Sequence, residues 1–324
     1  MAVRTYIEAI HDGLLEEMRS DPSVFIIGED VGTYGGAFRA TAGLLEEFGE
    51  ERVVDTPISE SGIVGLSIGA AMNGMRPVAE MQFIDFLSSA FNQVVNMAAK
   101  ARYRWNAGVP MVIRGPCGGG VHGGPFHSQN IESHYLSTPG LKIVEPATAY
   151  DAKGLLKAAI RDPDPVLYFE HKYLYRRIKE DLPEEDYIVP IGQAMRRREG
   201  SDIAVITFGA CVHYALEAAE QLAKEGISLD VLDLRTLLPL DKEAIRESVQ
   251  RTNKVILYHE AQRTGGIGAE LAAIVSEECF EWLDGPPVRV AAPDTPVPYS
   301  PPLEAAFLPG PAALVSAARR LHRY

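Results

Sequence analysis

Two spacings of apolar residues alternate along the chain. Tyr6, Ile10, Leu14 and Met18 recur four apart, as the buried face of a helix does. Beyond Asp21-Pro22, the run Val24-Phe-Ile-Ile27 ends at Gly28 and reads as a strand buried on both faces. The alternation continues with a short strand at 53–55, a small-residue helix at 61–72, a strand at 77–83 and a helix at about 89–103. A strand at 111–114 then enters Gly115-Pro-Cys-Gly-Gly-Gly120, and strands at 143–144 and 166–169 flank a helix at 149–160. Strands alternating with helices predict parallel βαβ units, in a sheet covered on both faces.

The rhythm breaks at 176–187, a charged stretch with Pro183 and little periodicity. A linker is expected at 181–187, between a domain at 1–180 and another at 188–324. The second domain repeats the α/β pattern, with strands at 203–208, 229–234 and 254–258 and helices at 214–225, 242–250 and 268–280. The proline-rich stretch 284–302 is expected as an extended surface tail, before a last helix at 311–321. A chain of 324 residues is long for one core, which agrees with two domains.

Composition narrows the function classes. A net charge of −13 disfavours nucleic acid and anionic membrane as partners, because both call for clustered Lys and Arg. Cys117, Cys211 and Cys279 lie far apart and form no CxxC, so neither a disulfide framework nor a thiolate zinc site is indicated. The longest nearly apolar run, 63–72, is too short to span a bilayer and is broken by glycines. The first eight residues lack the apolar core of a secretory signal. A soluble cytoplasmic protein is expected.

In open parallel sheets, ligands bind at the carboxyl ends of the strands. Four loops in that position carry unusual residues: Gly28-Glu29-Asp30, Thr56-Pro-Ile-Ser-Glu60, Gln82-Phe-Ile-Asp85-Phe86, and the glycine-rich segment 118–130. Singly, each has a structural explanation: Glu60 as a helix-start acid, His127 as a satisfied loop histidine, Phe86 as core. Together they supply a carboxylate, an aromatic face, a histidine and close-approach glycines, an enzyme-like inventory. His122, His127 and His134 lack metal-helix spacing, and neither a G-x-S-x-G elbow nor a G-x-x-x-x-G-K-[ST] phosphate loop occurs. Gly266-Ile-Gly268 opens a helix after a strand, but Leu271 replaces the third glycine of a dinucleotide fingerprint.

The ordered set Gly28-Glu-Asp-Val-Gly32, Asp55-Thr-Pro-Ile-Ser-Glu60, Arg76-Pro77, Gln82-Phe83, His127-Ser-Gln129, Pro139-Gly-Leu-Lys142, Asp151-Ala-Lys-Gly154, Asp233-Leu-Arg-Thr236 and Ala292-Pro-Asp-Thr295 resembles the β subunits of thiamine-diphosphate-dependent 2-oxo acid dehydrogenases. The likeness runs over essentially the whole chain. It implies a transketolase-like α/β fold, a pyrimidine-binding domain followed by a transketolase C-terminal-like domain. It assigns Glu60 to the glutamate on the cofactor's aminopyrimidine, Phe86 to the aromatic against that ring, and Gln82 to a neighbouring contact. His127 matches the histidine at the substrate end, suited to proton transfer during acylation of the lipoyl group. The roles of Glu29 and Asp85 stay open.

The same resemblance implies a structural potassium site at Met111, Ala159, Ile160, Asp162 and Asp164, mostly through carbonyls. Asp164 stands where Asn is frequent, and Asp162-Pro-Asp164-Pro also reads as a turn before a strand. The sequence contains no Gly-Asp-Gly, the start of the family's magnesium motif. Magnesium and the diphosphate are therefore expected on a separate α subunit, in a heterotetramer of two α and two β chains that serves a dihydrolipoyl acyltransferase core and its lipoyl domain. Gly123-Gly-Pro-Phe126-His127 and Phe169-Glu-His-Lys172 resemble the branched-chain enzymes more than the pyruvate ones. Branched-chain 2-oxo acids are thus the expected substrates, with a pyruvate or acetoin enzyme, or a non-catalytic scaffold subunit, as alternatives.

Overall fold

The first helix begins as its sequence dictates. Thr5 accepts a hydrogen bond from the Glu8 N–H (3.3 Å) while the Glu8 carboxylate accepts from the Thr5 N–H (2.8 Å), a reciprocal cap. It separates β1 (Ala2–Thr5) from α1 (Tyr6–Ser20), whose four-residue apolar stripe is buried. A computed structural model describes residues 2–324, and the chain forms two units: 2–117 with 134–191, and 118–133 with 192–324.

In the first unit the strands are β2 (Val24–Gly28), β3 (Val53–Asp55), β4 (Arg76–Glu80), β5 (Val112–Cys117), β6 (Lys142–Val144) and β7 (Val166–His171). They are parallel, in the order β6-β7-β5-β4-β2-β3. β2, β5 and β7 are buried along their whole length, which is why they read as largely apolar runs, Arg114 of β5 and Glu170 and His171 of β7 being the polar exceptions. After β3 the chain crosses to the other side of β2, so the strand order reverses there, the kind of point at which such sheets open a crevice. The helices are α2 (Leu44–Phe48), α3 (Glu60–Met72), α4 (Ala101–Trp105) and α5 (Ala149–Arg161).

One expectation changes in this unit. The helix at about 89–103 is a 3-10 segment Ile84–Ala90, a π-helical turn Gln93–Ala98 and then α4. The Ser88 hydroxyl donates back to the Asp85 carbonyl (3.0 Å), competing with regular helical pairing, and left-handed Asn106 (φ 52°) ends the run. The charged stretch 176–187 holds β8 (Lys179–Leu182), paired antiparallel with β1. Leu182 is buried against Ala9 and Ala149, and the charges of this two-stranded ribbon stay near solvent.

The second unit holds β9 (Met195–Arg198), β10 (Ile203–Thr207), β11 (Leu229–Asp233), β12 (Thr236–Leu238), β13 (Val255–Gln262) and β14 (Val288–Ala292). Five form a sheet in the order β14-β13-β10-β11-β9, parallel except for β9. Its helices are α6 (Cys211–Ala223), α7 (Lys242–Thr252), α8 (Ile267–Glu278), α9 (Pro301–Phe307) and α10 (Pro311–Leu321). The stretch 284–302 is not simply a tail: β14 joins the sheet edge, with Val288 and Val290 packed on the core beneath α6 and α10.

The glycines of Gly266-Ile-Gly268 have a packing reason. A Cβ at Gly266 would sit 2.6 Å from the His259 imidazole, and one at Gly268 would sit 2.7 Å from it. They admit a buried ring rather than a dinucleotide. Among the described residues no helix is long and apolar enough to cross a membrane.

Candidate active site

The carboxyl ends of β2, β3 and β4 bring three of the sequence-predicted residues to one region of the first unit. Gly28 closes β2, where a Cβ would meet the Glu80 carbonyl at 2.7 Å, so only glycine lets the next loop turn over the sheet. That loop is held by Asp55 at the end of β3, whose Oδ1 accepts the Gly32 N–H at 2.6 Å. Asp30 takes the left-handed conformation (φ 58°) and its Oδ2 accepts from Gln82 Nε2 at 2.8 Å. Gln82 is thereby tied to the Gly28-Glu29-Asp30 turn.

Glu60 is the first residue of α3 and is half-buried. The Ser61 hydroxyl reaches the Ser89 carbonyl and joins this helix start to the segment that carries Phe86. Glu29 is buried, accepts the Ser59 N–H, and keeps one carboxyl oxygen without a partner. Burial pushes its pKa up, and the charge of Glu60 adds to that.

The half-buried Phe86 ring meets Phe83 edge-on (6.0 Å, 77°), and Phe83 meets Phe38 (5.5 Å, 79°). Lys172 Nζ lies 5.9 Å from the Phe83 ring. Deeper in the same sheet, Arg114 of β5 bridges two acids. Its Nε and Nη2 bind the Glu170 carboxylate at 2.5 and 2.7 Å, and Nη1 binds Glu80. The Tyr175 hydroxyl donates to the same Glu170 at 2.7 Å. Burial works against the Arg114 charge, but Glu170 and Glu80 more than offset it and raise its pKa. Burial pushes the Glu80 carboxyl up, with Arg114 opposing. Asp55 and Arg114 were not singled out in the sequence, although Asp55 opens the same motif as Glu60.

His127 belongs to the second unit, in the segment 118–133. The Gly118 N–H donates to the Gln129 carbonyl (3.2 Å) and closes the base of a compact loop. The His127 N–H reaches back to the Gly124 carbonyl (3.4 Å). The loop runs into Glu132, which is fully buried with no carboxyl partner beyond its own N–H. Burial, with the charge of Glu260 adding to it, pushes Glu132 up to about 7.

The residues expected around potassium gather where α5 meets β7. Arg76 Nη1 donates to the carbonyls of Ile160 (2.7 Å) and Asp162 (3.2 Å). Lys142 Nζ binds both Asp162 oxygens (2.7 and 2.6 Å), and Arg102 Nε binds Asp164 (2.5 Å). Val166 N–H takes the Met111 carbonyl at 3.0 Å, and Asp162 N–H takes that of Ala159 at 3.3 Å. Every one of these groups thus has a protein partner, and three of those partners are cations. No cluster of three metal-ligating side chains occurs among the described residues.

Residues 3–177 match the family of transketolase pyrimidine-binding domains, and 192–314 that of transketolase C-terminal domains. The chain is 56% identical over 327 aligned positions to the 2-oxoisovalerate dehydrogenase subunit beta of Bacillus subtilis, covering 100% of both. It is 46% identical to the pyruvate dehydrogenase E1 component subunit beta of the same organism, covering 99% of each. A solved split-gene transketolase, an inactive beta4 tetramer, superposes with a TM-score of 0.81 over 98% of each chain at 22% identity, a likeness of fold. The chain belongs to the β-subunit family of the thiamine-diphosphate-dependent 2-oxo acid dehydrogenases.

Proposed function

We propose that this chain is the β subunit of a branched-chain 2-oxo acid dehydrogenase, and that it contributes the aminopyrimidine half of a site shared with an α subunit. The observation that carries this reading is Glu60, half-buried on the first turn of α3, gathered with Gln82 and Phe86 at the carboxyl ends of the first unit's strands. A carboxylate beside an exposed-edge aromatic face suits an aminopyrimidine ring, and the partnerless oxygen of Glu29 leaves acceptor capacity beside it.

Bound there, thiamine diphosphate supplies a carbon nucleophile and an electron sink for decarboxylation. Glu60 holds a proton at the pyrimidine ring, Phe86 offers its ring as a stacking surface, and Gln82 orients the same region. His127 moves a proton at the lipoyl sulfur during acyl transfer. Magnesium is left to the α subunit, because this chain has no Gly-Asp-Gly. Two α and two β chains, serving an acyltransferase core, are the assembly that supplies these missing groups. Potassium, if bound, shares the Ile160 and Asp162 carbonyls with Arg76 and serves stability alone. A saturating, potassium-dependent rise in Tm tests that part.

The higher identity to a 2-oxoisovalerate than to a pyruvate enzyme supports branched-chain substrates. Reconstitution with the α subunit and a lipoyl domain, comparing kcat/KM for 3-methyl-2-oxobutanoate and pyruvate, tests this; preference for pyruvate overturns it. Glu60→Gln should slow proton exchange at the cofactor's reactive carbon at least ~100-fold without unfolding the chain. Unchanged exchange removes Glu60 from this role.

A further inference from the structure

The loop that carries His127 starts with five glycines among the seven residues 118–124. Such a run has many accessible backbone conformations and no side chains with which to pack itself. Its N–H groups are mostly buried or half-buried and have no strand ladder to join, so each needs another acceptor. Something outside the loop must define its path.

Two carboxylates of the second unit do so. Glu260, on β13 and 6% exposed, accepts the Gly119 N–H at 2.7 Å and the Asn130 Nδ2 at 3.0 Å through one oxygen. It thereby joins the outgoing and returning arms on either side of His127. Glu304, on α9 and 1% exposed, accepts the Gly120 N–H at 3.0 Å and the His122 N–H at 3.3 Å, and its Oε2 lies 2.6 Å from His122 Nδ1. Charged acceptors bind backbone N–H groups more strongly and with more directional preference than apolar contact does. Burying two carboxylates is costly, and an apolar plug would fill the same space without that cost. What the carboxylates add is a fixed course for the glycine run.

We propose that Glu260 and Glu304 are positioning residues that latch the His127 loop into the conformation used for acyl transfer. The proposal rests on the acyl-transfer reading of His127, and its test separates the two. Glu260→Ala and Glu304→Ala, each in the assembled αβ complex, should lower reductive acylation of a lipoyl domain at least ~10-fold, approaching His127→Ala. Decarboxylation coupled to an artificial dye acceptor should change less than ~3-fold. Glu260→Gln and Glu304→Gln keep one acceptor oxygen and should recover part of the loss, and they guard against alanine variants that fail to assemble. Amide hydrogen exchange should accelerate within 119–130 and stay at parental rates in β10, β11 and α6. Parental exchange in the loop, or acceleration throughout the second unit, overturns the latch. Equal loss in both assays also overturns it, because that is the signature of general destabilisation. If His127→Ala acylates normally while loop exchange in the glutamate variants still rises, the latch stands and the histidine's assigned role falls.

Discussion

Buried titratable groups meet two fates in this molecule, paired or left alone, and one case from each unit shows the contrast. In the first, Arg114 is flanked by Glu80 and Glu170, with Tyr175 donating to the latter, and the guanidinium keeps its charge inside the sheet. In the second, Glu132 and His259 are buried without side-chain hydrogen-bond partners and are pushed toward their neutral forms. His259 is confined by Gly266 and Gly268, lies parallel to Phe208 (6.5 Å, 9°), and is lowered by burial to about 4. A paired charge holds strands together by direction, whereas an unpaired titratable group makes stability depend on pH.

Removing one member of the paired set should have the largest effect. Arg114→Met strands two carboxylates in the core and should cost about 3–5 kcal/mol in urea unfolding, with faster hydrogen exchange concentrated in β4, β5 and β7. A loss below about 1 kcal/mol would mean that the acids simply take up protons, erasing the contrast.

Glu132 comes next. Its carboxyl, at about 7 when folded against an ordinary 4.5, keeps a proton in that window that the unfolded chain has released. Stability therefore falls as pH rises through the window, by about 3 kcal/mol once above it. Glu132→Gln should match the parent near pH 4 and exceed it at pH 8 by up to that amount. His259 has the opposite sign. Between 6.5 and about 4 the unfolded chain binds a proton that the folded one excludes, so stability is lost as pH falls. At pH 5 this costs about 2 kcal/mol, and His259→Gln should flatten the acid limb of the stability curve. Parallel acid limbs would show that His259 is protonated when folded.

The smallest effect is expected at the surface. Arg319 and Glu225 form a two-bond pair at 2.6 and 2.8 Å, yet both side chains lie in solvent. Glu225→Gln should leave the unfolding midpoint unchanged, since exposed pairs contribute little.

These contrasts also mark what the sequence can express. Periodicity located α1 and α10 because each has one buried face set by its own residues. It merged the segments around Ile84–Ala90, Gln93–Ala98 and α4 into one helix, since the helical period survives a 3-10 or π turn. It passed over β8 and β14, whose pairing depends on distant strands rather than on strong alternation of their own. Glu60, Gln82 and Phe86, the residues proposed for the site, were singled out from motif and strand-end position, and Asp55 lay in the same motif without a role. Arg114 was hidden inside a largely apolar strand, and Glu260 and Glu304 fell outside the expected strand at 254–258 and helix at 311–321. The decoy glycines became intelligible only when His259, several residues upstream, was seen to fill the space they leave.

The latch on the histidine loop also has a schedule. Gly119 and its acceptor Glu260 are 141 positions apart, and Gly120 and Glu304 are 184 apart. At roughly 5–20 residues per second, a ribosome needs about 10–40 s after making the loop to deliver Glu304. Until Glu260 is made, about 7–28 s after the loop, the glycine run has neither carboxylate to bind, and until Glu304 follows it has only one. A nascent chain is therefore open to proteolysis at this loop, and a chain stopped short of α9 holds the loop by Glu260 alone.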